Sequence, residues 1–278
     1  MELRSARIWP GGWRVSNLLI LVGSERKKGN SELLSRLAIR RALTYFDRGE
    51  LIFLRDFNLL PCNGCMACIV GDKACPLSDD FYPLLDRIEW ASHLLIFAPT
   101  YVLMPPAKLK LLLDRYIAAY PKRRKVKRFG GVGAVIALPE YAQFQLPFLN
   151  LFLLAFGFEP VINLEFIGAG PGEVLLDDQL LTKIDKLLTN LSKGEKEIGE
   201  GCCPFCLSPL LYYEKGKFFC PICNVPVELR DGIPVYSGSP RWNEATQEDH
   251  YQNWILKTRD RFRARLRAIL KKKRELSL

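Results

Sequence analysis

The chain has only two histidines in 278 residues, His93 and His250, far apart in sequence, so no histidine-based catalytic pair is expected. His93 directly precedes an apolar run and is read as a packing or capping residue. Long apolar runs are also missing. The longest, residues 146–158, is 13 positions, is broken by Asn150, and is too short to span a bilayer. The first residues carry charges and Pro10-Gly11-Gly12 without a signal-peptide pattern, so a cytoplasmic location is expected. Internal repeats and long low-complexity tracts are absent. Apolar residues at 49% and charged residues at 25% exclude wholesale disorder, collagen and coiled coil, and allow a sizeable core.

Within that frame, apolar runs alternate with helical spacing. Residues 17–24, 51–55, 93–100, 130–138 and 160–167 read as strands, and 30–46, 81–90, 107–120, 144–156 and 177–191 as helices. Apolar strands without alternation, separated by helices, predict a doubly wound α/β fold with a five-stranded parallel sheet, its ligand loops beyond the carboxyl ends of the strands. Expected divisions are an N-terminal extension (1–16), the α/β domain (17–191), a polar linker (192–201), a small cysteine module (202–240) and a basic helix (241–278).

Between the first strand and helix lies GSERKKGNS, residues 23–31. Free N–H groups and the helix dipole favour an anion there. Ser24, Asn30 and Ser31 add short donors, and Arg26, Lys27 and Lys28 add charge. It is neither a Walker loop nor a GxGxxG fingerprint, and one compact cradle suits a monophosphate. The alternative is a surface turn with solvated basic residues. After the third strand, Pro99-Thr100-Tyr101 leads into Val102-Leu103-Met104-Pro105, a stiffened turn able to pack on a flat ring, or plain core packing at a strand exit.

Nine cysteines form two groups. Cys62, Cys65 and Cys68 stand at every third position, followed by Cys75-Pro76. That spacing wraps a loop around a [4Fe–4S] cube better than it makes paired zinc knuckles. With GSERKKGNS, PCNGCMAC, APTYVLMP (98–105) and LKLLLDR (109–115), residues 17 to about 191 resemble the iron–sulfur flavoprotein family, within the flavodoxin-like NADPH-dependent FMN reductase superfamily. The resemblance implies a flavodoxin-like fold. It places the FMN phosphate at Ser24, Arg26, Asn30 and Ser31, and the flavin ring near Pro99, Thr100, Tyr101, Leu103 and Met104. It assigns [4Fe–4S] to the four clustered cysteines and a homodimer or homotetramer to the assembly. Glu25 replaces the family's usual Pro, and Val102-Leu103-Met104-Pro105 replaces its Gly and Ser.

Cys203-Pro-Phe-Cys206 and Cys220-Pro-Ile-Cys223 are two CPxC knuckles joined by a β-prone stretch, resembling a zinc ribbon. Rubredoxin-type iron is the alternative; each knuckle lacks the glycine usual after the second rubredoxin cysteine. Cys202 is a spare thiol that can substitute for Cys203. Lys and Arg number 40 against 30 acids, a net charge of +10, and residues 251–278 carry ten basic and two acidic residues of this. Ile255, Phe262, Leu266, Ile269 and Leu270 share one face of that tail helix. A helix docked by its stripe is one reading; a landing site for an acidic ferredoxin-like protein or nucleic acid is the other. The run Lys122–Arg128 is read as a solvated loop, with a nucleotide phosphate as the alternative.

The expected function is an iron–sulfur flavoprotein oxidoreductase passing electrons between a [4Fe–4S] cluster and FMN, exchanging with a ferredoxin-like or NAD(P)H donor, with no side-chain nucleophile. The rivals are an NAD(P)H-dependent FMN or quinone reductase with zinc in place of the cluster, and a nucleic-acid-binding or regulatory module, less favoured. No membrane partner is expected.

Overall fold

The structure is a computed structural model describing residues 15–70 and 74–277; the expected N-terminal extension lies almost wholly outside the described residues. Five strands, β1 (Asn17–Val22), β2 (Arg48–Phe53), β3 (His93–Pro99), β4 (Phe129–Ile136) and β5 (Glu159–Ile167), form one parallel sheet in the order β2-β1-β3-β4-β5. The helices of this domain are α1 (Asn30–Ala42), α2 (Ala67–Val70), α3 (Phe81–Trp90), α4 (Ala107–Leu113), α5 (Tyr116–Ala119), α6 (Gln145–Ala155) and α7 (Leu180–Lys193).

β1 is buried along its whole length, and its side chains alternate between two cores. Leu19 and Leu21 join α3, α4 and α6 on one face; Leu18 and Ile20 join α1 and α7 on the other. Burial on both faces is why the strand reads as an unbroken apolar run. Strand order reverses direction at β1/β3, so the crevice beyond their carboxyl ends is the natural ligand position.

Several boundaries differ from the expectation. β2 begins at Arg48 rather than 51, because an edge strand tolerates exposed residues. The single helix expected over 107–120 is two, α4 and α5, broken at Asp114–Arg115. There Arg115 turns inward to a fully buried pair with Asp79 and lies over the Phe81 ring. A second buried pair, Arg128 with Glu89 at 3.2 Å, ties the start of β4 to α3.

His93 is a packing residue, wholly buried between the Phe46 and Phe129 rings with its Nδ1 2.8 Å from Ser92 Oγ. Burial pushes its pKa down to about 4. The unfolded chain binds a proton near pH 6.5 that the folded chain refuses until about pH 4. The folded state therefore loses stability as pH falls through that window, by up to about 3 kcal/mol. Urea unfolding followed from pH 7 to pH 4 should show this fall, and His93→Asn should remove most of its slope.

Beyond α7 the chain returns to the sheet: Glu197 N–H donates to Val161 O at 2.7 Å, and Lys196 pairs with Glu159. The expected linker is thus strapped along β5. A four-stranded antiparallel sheet follows, β6 (Tyr212–Glu214), β7 (Lys217–Phe219), β8 (Pro226–Arg230) and β9 (Ile233–Tyr236), of which sequence patterning indicated only the first hairpin. Then α8 (Glu244–Asp249), a π-helical stretch His250–Leu256 and α9 (Lys257–Glu275) run as one strap. Trp242, Gln247 and Glu248 touch Tyr116, Arg123 and Tyr120 along α5, and α9 reaches α2. Ile255 is buried, but α9 buries none of its own residues: Leu266 and Leu270 stay exposed, so the apolar stripe docks only at its first turns. No helix among the described residues is long and apolar enough to cross a membrane.

Candidate functional site

Three loops meet the carboxyl edge of the sheet. The first, residues 23–29, leaves β1 in close contact: a Cβ on Gly23 would stand 2.8 Å from Leu109 Cδ1 and 3.2 Å from Ala98 Cβ, so a side chain there would have to displace Leu109. The loop ends at the N-terminus of the 13-residue helix α1. Arg26, Lys27 and Lys28 are exposed on it. Ser24 and Ser31 are buried; Ser24 Oγ accepts Arg26 N–H at 3.2 Å, whereas Ser31 Oγ has no partner among the described residues. A buried hydroxyl without a partner beside free helix N–H groups is a donor set suited to a phosphate oxygen.

Asn30 does something else. Its Nδ2 donates to Gly168 O and Gly170 O, each at 3.0 Å, and its Oδ1 accepts Gly172 N–H at 2.7 Å. Both its side-chain N–H donors are committed to the loop after β5, so it braces the cradle from behind. Glu32, which sequence reasoning passed over, is a second brace. It is buried and accepts Lys28 N–H at 3.0 Å and Arg36 Nε at 2.9 Å, and pairs with Arg55 at 2.8 Å. Burial works to raise its carboxyl, but the Lys28, Arg36 and Arg55 bonds hold it below the usual range. The two arginines cancel a negative charge that would otherwise face an arriving anion, and the Lys28 bond fixes that residue at φ +56.

The second loop follows β3. Thr100 is held by Val135 O, which accepts both its N–H at 2.9 Å and its hydroxyl at 3.3 Å. Tyr101 and Met104 then pair across a two-residue turn whose central residues, Val102 and Leu103, have φ +46 and +70. Left-handed backbone at a valine and a leucine costs of order 1–3 kcal/mol each and persists only where its surroundings enforce it. Here Phe144 N–H bonds Leu103 O at 3.1 Å, tying the turn to the loop before α6. The turn holds Val102 in solvent, 93% exposed, beside half-exposed Tyr101 and Met104. Pro99 ends β3 against Val135. Gln145, not singled out in sequence, donates to Ala98 O at 3.0 Å, and its Oε1 is buried without a partner among the described residues.

The third loop follows β2 and carries Cys62, Cys65, Cys68 and Cys75. Gly64 and Met66 adopt left-handed φ of +66 and +60, and Cys65 N–H bonds the Asn63 side chain at 3.2 Å. Burial pushes the Cys68 thiol up, and the neighbouring Cys75, Cys62 and Cys65 add to that rise. The loop is pinned from below: Asp79 accepts Leu60 N–H at 2.8 Å, Asp80 accepts Asn58 N–H at 2.7 Å, and Tyr82 OH accepts Cys75 N–H at 2.7 Å. From outside, Arg263 of α9 donates to Val70 O.

The second cysteine group is assembled. The Sγ atoms of Cys203, Cys206, Cys220 and Cys223 all lie within 4.8 Å of one another and are buried. Tetrahedral Zn–S bonds of ~2.3 Å need sulfurs about that close. Leu207 and Asn224, after the second cysteine of each knuckle, take φ +56 and +58. Both thus adopt the conformation a glycine would supply, so the missing glycines do not alter the knuckle shape. Hydrogen bonds from the other three thiols hold Cys203 well below the usual thiol range, while bonding to Cys203 holds Cys206 and Cys223 up. Four sulfurs this close ionise together only around a cation. Cys202 lies outside the set, so the sequence ambiguity resolves to Cys203. This centre packs on Leu154 at the end of α6, at the amino edge of the sheet, opposite the three loops.

The fold is a flavodoxin-like α/β domain with a cysteine loop at its ligand edge and a tetra-cysteine module behind. Residues 16–146 match the family described as NADPH-dependent FMN reductase. An iron–sulfur flavoprotein of Methanocaldococcus jannaschii is 34% identical over 116 residues, 42% of this chain and 58% of that protein. One of Archaeoglobus fulgidus is 34% identical over 98 residues, 35% and 47% of the respective chains. The chain therefore spans about half the length of these curated relatives. A solved flavone reductase shares the fold with TM-score 0.73 at 15% identity, over 94% of this chain and 96% of that one, coverage that extends into the C-terminal module.

Proposed function

We propose that this protein is an iron–sulfur flavoprotein oxidoreductase that binds FMN at the carboxyl edge of β1 and β3 and a [4Fe–4S] cluster on Cys62, Cys65, Cys68 and Cys75. The observation that carries the proposal is the meeting of three loops at one sheet edge: the cradle with the unpartnered Ser31 hydroxyl, the Tyr101–Met104 turn, and the four-cysteine loop. When bound, the flavin supplies the exchange between two-electron and one-electron chemistry, and the cluster supplies single-electron relay. The chain's part is to hold and shield. Ser24, Ser31 and the α1 N–H groups take the phosphate, with Arg26 adding charge, while Asn30 and Glu32 keep the loop in shape. Tyr101, Leu103 and Met104, stiffened by Pro99 and Thr100, give an apolar wall.

The spacing of Cys62, Cys65 and Cys68 with the following Cys75-Pro76 supports an iron–sulfur cluster over zinc, since two successive two-residue gaps do not make paired zinc knuckles. The second group is read as structural zinc, with rubredoxin-type iron as its rival, because it lies at the far edge of the sheet from the flavin loops. The electron donor is read as NAD(P)H or a ferredoxin-like protein, the latter suited to the exposed basic face of α9 beside the cysteine loop. A homodimer or homotetramer is the expected assembly, in keeping with the exposed apolar rim of Tyr101, Val102, Met104, Leu138, Tyr141 and Phe144.

Protein purified without oxygen should be brown and contain about one FMN, four iron and four sulfide per chain beyond the tetra-cysteine metal. Iron without sulfide, or no iron, would sink the cluster assignment. Ser31→Ala should weaken FMN by roughly tenfold to a hundredfold, the worth of a hydrogen bond to a charged group, with iron unchanged. Fluorescence titration of the flavin-free protein measures it.

A further inference from the structure

At the amino edge of the sheet, away from the flavin loops, a cavity of about 370 Å³ separates the α/β domain from the tetra-cysteine module. It lies where β4 and β5 begin, and that size lies within the range of small-molecule sites. Its apolar lining comes from three places: Leu154 and Phe158 of the α/β domain, Phe205 and Cys223 of the knuckles, and Trp242 at the start of the strap. Neither half alone makes it.

Its polar lining is strongly one-sided. Arg123, Arg124, Lys125, Lys127, Arg128 and Lys196 border it, against the carboxylates of Glu159 and Glu244. Glu159 is shared by Lys196 at 2.8 Å and Lys127 at 3.5 Å. Glu89 and Glu248 pair with Arg128 and Lys125 from outside the lining. Arg128 is also fully buried, and its Nε has no acceptor among the described residues. The basic run of residues 122–128, read from sequence as a solvated loop, is therefore partly built into a concave wall.

Cations beside aromatic rings in a space of this size are the chemistry of one phosphorylated base. A polynucleotide strand needs an extended groove, and a bare phosphate makes no use of the apolar side. We propose that this cavity is a second ligand site that takes a nucleoside mono- or diphosphate, its ring against Trp242 and Phe158 and its phosphate toward Arg124 and Lys127. This site does not depend on the reading of the flavin edge. Because the knuckles supply Phe205 and Cys223, occupancy and metal binding strengthen each other, as linkage requires when both ligands favour the same closed arrangement.

The test is calorimetric titration of the FMN-loaded, metal-replete protein with ADP, AMP, adenosine and inorganic phosphate. ADP or AMP should bind at least tenfold more tightly than either adenosine or phosphate. Arg124→Gln with Lys127→Gln should weaken the nucleotide by tenfold or more. The same charge change on α9, Lys271→Gln with Lys272→Gln, should stay within twofold. Nucleotide binding no tighter than phosphate overturns the proposal. So does equal weakening by both pairs, which marks a diffuse field, or weakening by Ser31→Ala, which marks binding at the flavin edge. Should the cavity pair fail to fold, Trp242 decides: nucleotide should quench tryptophan fluorescence in the wild-type chain, and Trp242→Phe should abolish the quench while heat of binding persists. Quenching unchanged in Trp242→Phe places the nucleotide elsewhere.

Discussion

Cys220→Ala is expected to strip the metal from the C-terminal module and unfold residues 202–240 while FMN stays bound. The module has little else to hold it. Its buried set is the four cysteines with Leu207, Ser208, Ile222, Val225 and Val227, packed on Leu154, and β6 is exposed throughout. A core that small does not outweigh the ordering entropy of some forty residues without a staple. A structural zinc contributes apparent binding free energy of about 10–16 kcal/mol, which becomes folding free energy when the site forms only in the folded chain. One lost thiolate leaves three sulfurs and a gap that Cys202 cannot reach without rebuilding the first knuckle, whose Cys203 N–H is already bonded to Ser208 O. Elemental analysis and hydrogen exchange over 203–236 report the two halves of this result. Full metal content with protected amides would show that the module does not rest on its sulfurs. If the further site is as proposed, nucleotide binding should vanish in the same variant, since Phe205 and Cys223 leave the cavity wall.

The sequence spoke most clearly where one physical cause dominates. Parallel strands buried on both faces must be apolar along their length, so β1, β3 and β4 stood out, and β5 followed. β2 was read short because Arg48 and Gly49 lie at an exposed edge. β8 and β9 were unread because their exposed residues carry no clean alternation; Val227 alone of β8 is buried. Paired knuckles were legible because coordination geometry dictates spacing, and the two knuckles do bring their sulfurs together. What spacing cannot show is commitment of a side chain to a distant partner. Asn30 looked like a phosphate donor, yet its partners lie 138–142 positions later. Glu32 drew no reading from sequence, and Arg115 was read only as part of a single helix over 107–120. Both are defined by long-range ion pairs. The tail helix failed differently. Its periodicity was correct, but periodicity does not say how much of a stripe finds a surface, and here most of it does not.

Asp79 is the position where stability and the cysteine loop meet, and Asp79→Ala should damage both. Its carboxylate and the Arg115 guanidinium are each 1% exposed and paired, with Phe81 beneath the guanidinium at 3.9 Å. Removing one partner strands the other charge in the core, which costs about 3–5 kcal/mol. The same carboxylate accepts Leu60 N–H two residues before Cys62 and Phe81 N–H at the start of α3, so the loop loses its floor. Iron and sulfide should fall well below flavin in the purified variant. A companion variant separates the two effects. Asp79→Leu with Arg115→Met replaces the pair with apolar side chains of similar bulk, a change that is often neutral for stability. It should recover most of the melting temperature but not the iron, because Leu60 N–H still has no acceptor. Recovery of both would reduce Asp79 to a core residue. Acid probes the same contact without mutation. Burial works to raise the Asp79 carboxyl, but the Arg115, Leu60 and Phe81 bonds outweigh it and hold it below the usual carboxylate range. The contribution is complete above about pH 4, the ordinary value, and is lost as pH falls through the lower folded value. Between pH 7 and pH 4 the fall in stability should therefore follow His93 in large part, and the additional loss below pH 4, to which Glu32 and Asp185 also contribute, should be smaller in the Asp79→Leu, Arg115→Met chain.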